Sequence, residues 1–448
     1  MKESAHKLWI RIAILVPLIG ILFFLLLSRL DDPSSSGISS SLVNSETVYF
    51  MIALCIAVPL GLTVLLTALI LNAAPLFRRL PRIKKQRRRK TSRFPNLTRI
   101  DAASKTVRAI PYDRRSLGDI CADFRNFSAS RLGLYYDIAD IRRFVAGMGM
   151  SHLVILRGMS GTGKTSLAYA AGEYFGNPST IVPIQPMWKE RSDIIGYFNE
   201  FTKRFNETTL LCKLYEAGGN DDVYITVLDE VNISRIEYYF AEFLSLLEIP
   251  DPSKRALDVV SDSWDTDPQR LQNGKLILPE NMWFVGTANN DDSTFSISDK
   301  VYDRAAVLDL DKKSQPFQAH RAAGAHISYS DLVRRFNDAQ SRYPLTDGSR
   351  DKLAKLDAYI SQTFRISFGN RIMGQLQRYV PIMIACGGTE IGALDDILAR
   401  KILRKLEQQS PILLKSEIPG LLATLDDLFG KNALPQSQAY LLRLQRNS

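Results

Sequence analysis

One stretch constrains this chain more than any other. Gly158-Met159-Ser160-Gly161-Thr162-Gly163-Lys164-Thr165, with Ser166 beyond it, stands directly behind the apolar run His152-Leu153-Val154-Ile155-Leu156. It matches G-x-x-x-x-G-K-[ST] in full, in the order strand, loop, helix. The chemistry explains the spacing. Glycines let backbone amides turn inward around the β- and γ-phosphates of a nucleotide. Lys164 brings a positive charge to the terminal phosphates, and the Thr165 hydroxyl can ligate Mg²⁺. A helix over Thr165–Phe175 adds its positive dipole end. The bland alternative is a degenerate loop that binds nothing. The fold class expected from such a unit is α/β, with a parallel sheet.

A phosphate loop needs an acid on a neighbouring strand. Val223-Tyr224-Ile225-Thr226-Val227-Leu228 is β-branched and apolar, and ends in Asp229-Glu230. That strand end delivers Asp229 towards Mg²⁺ and places Glu230 to polarise an attacking water, which favours hydrolysis over binding alone. The alternative is a pair of acids capping a strand. A further strand, Met282-Trp283-Phe284-Val285-Gly286-Thr287-Ala288-Asn289-Asn290, also ends in polar residues. Its terminal amide can position water beside the γ-phosphate, or simply cap a loop.

Composition adds limits. Apolar residues make up 46% and charged residues 23% of 448, which excludes wholesale disorder. The cysteines are far apart and the four histidines lack metal-ligand spacing, so neither a disulfide framework nor a zinc cluster is indicated. The net charge of +10 has one source: residues 78–93 carry ten Lys or Arg and no acid. The body of the chain is therefore neutral, and direct nucleic-acid binding is not expected.

That basic run follows two uncharged stretches. Ile12–Leu27 is extended by Leu8-Trp9-Ile10, and Val48–Ala74 is longer still. About 20 apolar residues cross the hydrocarbon of a bilayer. The expectation is a helical hairpin anchor, with spans about 9–28 and 48–74 and both termini cytoplasmic by the positive-inside rule. A cleaved signal peptide is the alternative for the first stretch, but Leu27-Ser28-Arg29-Leu30 lacks a small-x-small site. The basic run reads as a topology determinant lying on anionic headgroups; a nuclear signal or nucleic-acid arm is the sharper alternative. The localisation expected is a membrane, the bacterial inner membrane in particular.

Taken in this order and spacing, the phosphate loop, Asp229-Glu230 and Gly286-Thr287-Ala288-Asn289 resemble an AAA+ ATPase. Three features are similar to the branch containing MoxR, dynein and McrB: Asp229-Glu230-Val231-Asn232, Ser192-Asp193-Ile194-Ile195-Gly196-Tyr197, and the Leu278-Pro279-Glu280-Asn281 run before the sensor strand. The resemblance covers roughly 130–310. It implies a three-layer core with a parallel sheet and a C-terminal helical lid. It implies that residues 158–166 bind nucleotide, that Thr165 and Asp229 hold Mg²⁺, that Glu230 activates water, and that Asn289 is the first sensor. Arg304 falls where the family carries an arginine finger that reaches a neighbour's site, which implies a ring, commonly a hexamer. Arg371, in Ser367-Phe368-Gly369-Asn370-Arg371, resembles the second sensor; both arginines also read as ordinary helix residues. The finger helix usually carries adjacent arginines, whereas here Asp303 and Ala305 flank Arg304. The sensor run Thr287-Ala288-Asn289-Asn290-Asp291-Asp292-Ser293 departs from the GTP-hydrolysing McrB pattern, which favours ATP.

The expected organisation is a transmembrane hairpin over 1–77, a basic segment and linker over 78–129, a nucleotide-binding core over 130–320, and a helical lid with extension over 321–448. Residues 251–275 are polar and turn-rich, either a plain surface loop or a hairpin contacting substrate. The leading functional expectation is a membrane-anchored ATPase ring that remodels an unidentified protein client. The alternatives are an McrB-like motor of an antiviral system working with a separately encoded nuclease, and a nucleotide-gated membrane scaffold.

Overall fold

The computed structural model describes residues 50, 53, 57–58, 60–65, 67, 92–103, 113–289 and 294–447. The expected first span, most of the second, the basic run 78–90 and residues 290–293 lie outside the described residues. The described positions of the second span are helical and exposed, Phe50 and Leu60 among them. Among the described residues no helix is long and apolar enough to cross a membrane. The chain divides after Arg89 into two units, and the architecture below is that of the second.

Ten strands are described: β1 Leu153–Gly158, β2 Thr180–Pro183, β3 Gly196–Asn199, β4 Arg204–Glu207, β5 Tyr224–Asp229, β6 Ala256–Asp258, β7 Leu271–Gln272, β8 Lys275–Ile277, β9 Met282–Asn289 and β10 Ala306–Asp309. Helices before the second strand are α1 Pro95–Ala103, α2 Leu117–Leu132, α3 Ile138–Met150 and α4 Lys164–Phe175. Between the strands that follow lie α5 Arg191–Ile195, α6 Thr209–Ala217, α7 Ile236–Tyr239, α8 Ala241–Leu246 and α9 Asp299–Tyr302. The C-terminal part is helical: α10 Tyr329–Arg342, α11 Asp347–Phe364, α12 Gly369–Ala385, α13 Glu390–Ile397, α14 Pro411–Phe429 and α15 Pro435–Asn447.

The central sheet is five-stranded and parallel, in the order β10-β1-β9-β5-β2. Its central strands β1, β5 and β9 are buried on both faces, as a sheet covered on both sides requires. Successive side chains of β1 leave on opposite faces. Val154 and Leu156 enter one core with α2, α3, α4 and the C-terminal helices. Leu153 and Ile155 enter the other with α1, α6 and α8. Covering one face therefore takes the N-terminal and C-terminal helices together. α12 packs on α3 and α10, so the C-terminal helices share a core with the nucleotide-binding part.

The second half of the expected linker, 94–129, is largely helical where it is described. Ser116 and Asp119 form a capping box that starts α2, and Gly133, at φ 68°, stops it. Ile120, Phe124 and Phe127 recur at helical spacing and are buried. Three apolar positions in a polar stretch make a narrow stripe, which composition alone averages away. α1 covers α6, with the Glu207 carboxylate accepting the amides of Asn96 (2.9 Å) and Leu97 (2.8 Å) at its start.

Residues 251–275 are not a plain loop. β6, β8 and β7 pair there as a small antiparallel sheet. A second hairpin, β3–β4, separates α5 from α6 and leaves Phe201 almost wholly exposed at its tip. Arg93 joins the two inserts. It pairs with Asp262 (2.6 Å) and Asp267 (2.8 Å) under the Trp264 ring, and its carbonyl accepts the Phe205 amide.

Candidate nucleotide-binding site

Parallel pairing brings the C-terminal ends of three strands side by side. Gly158 of β1 lies opposite Asn289 of β9, and Leu228 of β5 lies opposite Gly286. Open α/β sheets bind ligands at such carboxyl ends. The loop 158–165 leaves β1 here and becomes α4 at Lys164. Two glycines have conformations other residues resist. Gly163, at φ 93°, caps α4, and Gly158 crosses so close to β10 that a Cβ would sit 2.3 Å from the Leu310 carbonyl oxygen.

The Lys164 ammonium folds over the loop and donates to the carbonyls of Gly158 (3.0 Å) and Met159 (2.6 Å). Thr162 closes the same turn by donating to the Met159 carbonyl at 3.0 Å. Gly161 is exposed, Ser160 and Met159 too, so the loop's outer rim faces solvent. Thr165 sits in the first turn of α4 and donates to Asp229 Oδ1 at 2.8 Å. The carboxylate of β5 and the hydroxyl behind the loop thus converge across one strand gap.

Thr287 completes this group. Its hydroxyl donates to Asp229 Oδ1 at 2.7 Å and accepts the Glu230 amide at 2.9 Å. Glu230 has φ 57°, a left-handed conformation that costs a non-glycine residue about 1–2 kcal/mol. The bond to Thr287 helps hold that turn, and it leaves the Glu230 side chain exposed beside Asp229. Asn289 ends β9, and its carbonyl accepts Asn232 Nδ2 at 2.8 Å. The same amide reaches Thr294 Oγ1 at 2.9 Å, so Asn232 ties the end of β9 to Thr294.

The donor set fits Mg²⁺. One carboxylate and one hydroxyl, both hard oxygens, point to the same place, and a phosphate-bound Mg²⁺ needs few protein ligands. Thr165 and Asp229 would hold it.

Tyr136 is a site residue with no sequence motif behind it. It precedes α3 and donates from its phenol to the Gly163 carbonyl at 3.1 Å. Burial pushes the Tyr136 phenol well above its ordinary range, and a bond with Ser166 opposes that shift. The ring lies 3.3 Å from where a Gly163 Cβ would stand, so it props the loop from behind.

Arg304 and Arg371 lie at the other end of the sheet. Ser151, before β1, donates to the Arg304 carbonyl at 2.7 Å. From Ser151 to Gly158 an extended chain covers roughly 20 Å, farther than an arginine side chain reaches. Arg371 joins Arg304 on the same carboxylate, Glu248. Neither arginine meets its own chain's phosphate loop.

No protein-family model matches the chain, and no curated protein matches it. Solved structures do. A protein of Cytophaga hutchinsonii described as an ATPase aligns with 68% of this chain and 96% of its own, at 13% identity and TM-score 0.42. A full-length MCM homolog from Methanopyrus kandleri aligns over 63% of this chain and 59% of its own, at 10% identity and TM-score 0.35. NtrX from Brucella abortus in complex with ADP aligns over 72% and 71%, at 15% identity and TM-score 0.26. At these scores, function is read from the site itself.

Proposed function

We propose that this chain is a Mg²⁺-dependent nucleoside triphosphatase of the AAA+ kind that hydrolyses ATP and works as a ring. One observation carries the reading: Thr165, Asp229, Thr287 and the Glu230 amide form a single hydrogen-bonded chain at the mouth of the glycine-rich loop. Loop amides and Lys164 bind the β- and γ-phosphates. Mg²⁺ bound at Thr165 and Asp229 would neutralise charge on those phosphates. Glu230 accepts a proton from water as the water oxygen attacks the γ-phosphorus, and the bridging oxygen leaves with ADP. Asn289, at the end of the adjacent strand, orients that water.

The ring reading rests on distance. Arg304 and Arg371 lie a sheet's length from their own loop, which supports a neighbour's phosphate as the one they serve. The closed ring expected is a hexamer. The hairpin expected over 1–77 would tether it to the cytoplasmic face of a membrane, where turnover remodels a protein client.

The test is ATP and GTP turnover by the detergent-solubilised full chain, with Glu230→Gln as control. ATP turnover abolished by the substitution supports the reading. Absence of turnover, with or without added client fractions, overturns it, and preference for GTP overturns the choice of nucleotide. A reporter fused after Ser40 tests the tether separately, since a cytoplasmic signal there would exclude the hairpin.

A further inference from the structure

The segment carrying Arg304 is held unusually firmly. Four consecutive carbonyls each accept a side-chain donor. Lys401 bonds those of Tyr302 and Ala305. Gln375 bonds that of Asp303 at 2.7 Å, and Ser151 that of Arg304 at 2.7 Å. Arg404 and Gln408 grip Asp299, and Lys405 pairs with Asp303. The donors come from α12, from the strand-leading turn before β1, and from a π-helical and 3₁₀ stretch, Leu398–Ile402 and Leu403–Gln408. Such an irregular stretch is frequently functional.

With the backbone fixed, one side chain decides where the guanidinium points. Arg304 donates through Nη1 to the Lys300 carbonyl at 2.8 Å and through Nη2 to Glu248 Oε2 at 2.5 Å. The other oxygen of the same carboxylate, Oε1, takes Arg371 Nη2. Glu248 stands just beyond α8, on neither arginine's element. Two guanidiniums would repel each other at this separation. A carboxylate between them removes that repulsion and splits its two oxygens between them.

We propose that Glu248 is a positioning residue. It joins Arg304 and Arg371 into one two-guanidinium head, aimed as a unit at the γ-phosphate in a neighbouring subunit. This rests on the ring reading given above. Arg371 is half exposed, with 48% of its side-chain surface open, against 15% for Arg304. Arg371 is therefore the more accessible member of the pair.

The test uses the purified full chain with Glu248→Ala, Glu248→Gln and Glu248→Asp, each also built on a chain that carries Arg304→Ala and Arg371→Ala together. Misplacing a catalytic group by an ångström costs up to about a hundred-fold in rate. The expected result is a kcat lowered between about ten- and a hundred-fold in Glu248→Ala, with KM for ATP changed less than about two-fold. Glu248→Gln keeps the shape and one oxygen acceptor and should fall between. Glu248→Asp keeps the charge but is too short to bridge, and should resemble Glu248→Ala. On the doubly substituted arginine background the Glu248 substitution should cost nothing further. A loss that persists there would mean a structural role and overturn the proposal, as would wild-type turnover in Glu248→Ala. Should Glu248→Ala fail to fold, Glu248→Gln carries the same comparison. If Arg304→Ala and Arg371→Ala themselves turn over at the wild-type rate, the ring reading fails instead.

Discussion

The Thr287 hydroxyl donates to Asp229 Oδ1 at 2.7 Å and at the same time accepts the Glu230 amide at 2.9 Å. Two neighbouring acids are thus positioned by one hydroxyl on the adjacent strand. Thr287→Val keeps the shape and removes both bonds, leaving a part-buried amide without its acceptor. The cost is about 1–3 kcal/mol. The Glu230 turn should loosen, lowering kcat by about ten-fold or more and raising the Mg²⁺ needed for half-maximal turnover. A Mg²⁺ titration of turnover checks this; an unchanged midpoint and rate would refute it.

Tyr136 supports the loop from outside the motif. Tyr136→Phe deletes the bond to the Gly163 carbonyl and keeps the ring. A neutral hydrogen bond contributes about 1 kcal/mol, so nucleotide affinity should fall by roughly five-fold with little change in kcat. Titration with a fluorescent nucleotide reads the affinity directly.

In the proposed ring, Arg304 serves the site of a neighbouring subunit. Arg304→Ala should reduce kcat by about a thousand-fold or more, as for other fingers supplied from a neighbour. Mixing Arg304→Ala chains with Glu230→Gln chains should restore turnover. In mixed rings some sites then have an intact Glu230 on one side and an intact Arg304 on the other. A mixture as inactive as either parent would argue against action in trans.

Lys401 links stability to pH. It is fully buried, and that burial pushes its amine down to about 7 from an ordinary value near 10.5. Above about pH 7 the folded chain holds this amine neutral, whereas the unfolded chain keeps it protonated up to about pH 10.5. Folding there releases a proton, so stability rises with pH, by at most about 1.4 kcal/mol per unit from this group. Below about pH 7 both states bind the proton and the slope vanishes. Denaturant melts of the wild type and Lys401→Met should diverge between pH 7 and 10, the wild type gaining. Parallel curves would refute the assignment.

Much of this molecule follows from local sequence, and the reason is physical. A phosphate loop is contiguous: its glycines, Lys164 and Thr165 work through their own backbone and the helix they start, so spacing alone identifies them. β1, β5 and β9 are strongly apolar runs ending in polar residues, which marks both the strands and the ends that matter. Where the signal was thin, tertiary packing decided. α2 and its narrow apolar stripe hid inside a polar stretch, and β6, β7 and β8 are too short to show alternation in 251–275. Strand order placed Asn289 beside Gly158 and Thr287 beside Asp229. Folding also brought Tyr136 under Gly163, and Glu248 between Arg304 and Arg371. Those partners are far apart in the chain, and a hydrogen bond depends on position in space. Sequence determined which chemistry the loop can perform; only the packing of sheet and C-terminal helices decided which distant residues meet beside it and which meet at the far end of the sheet.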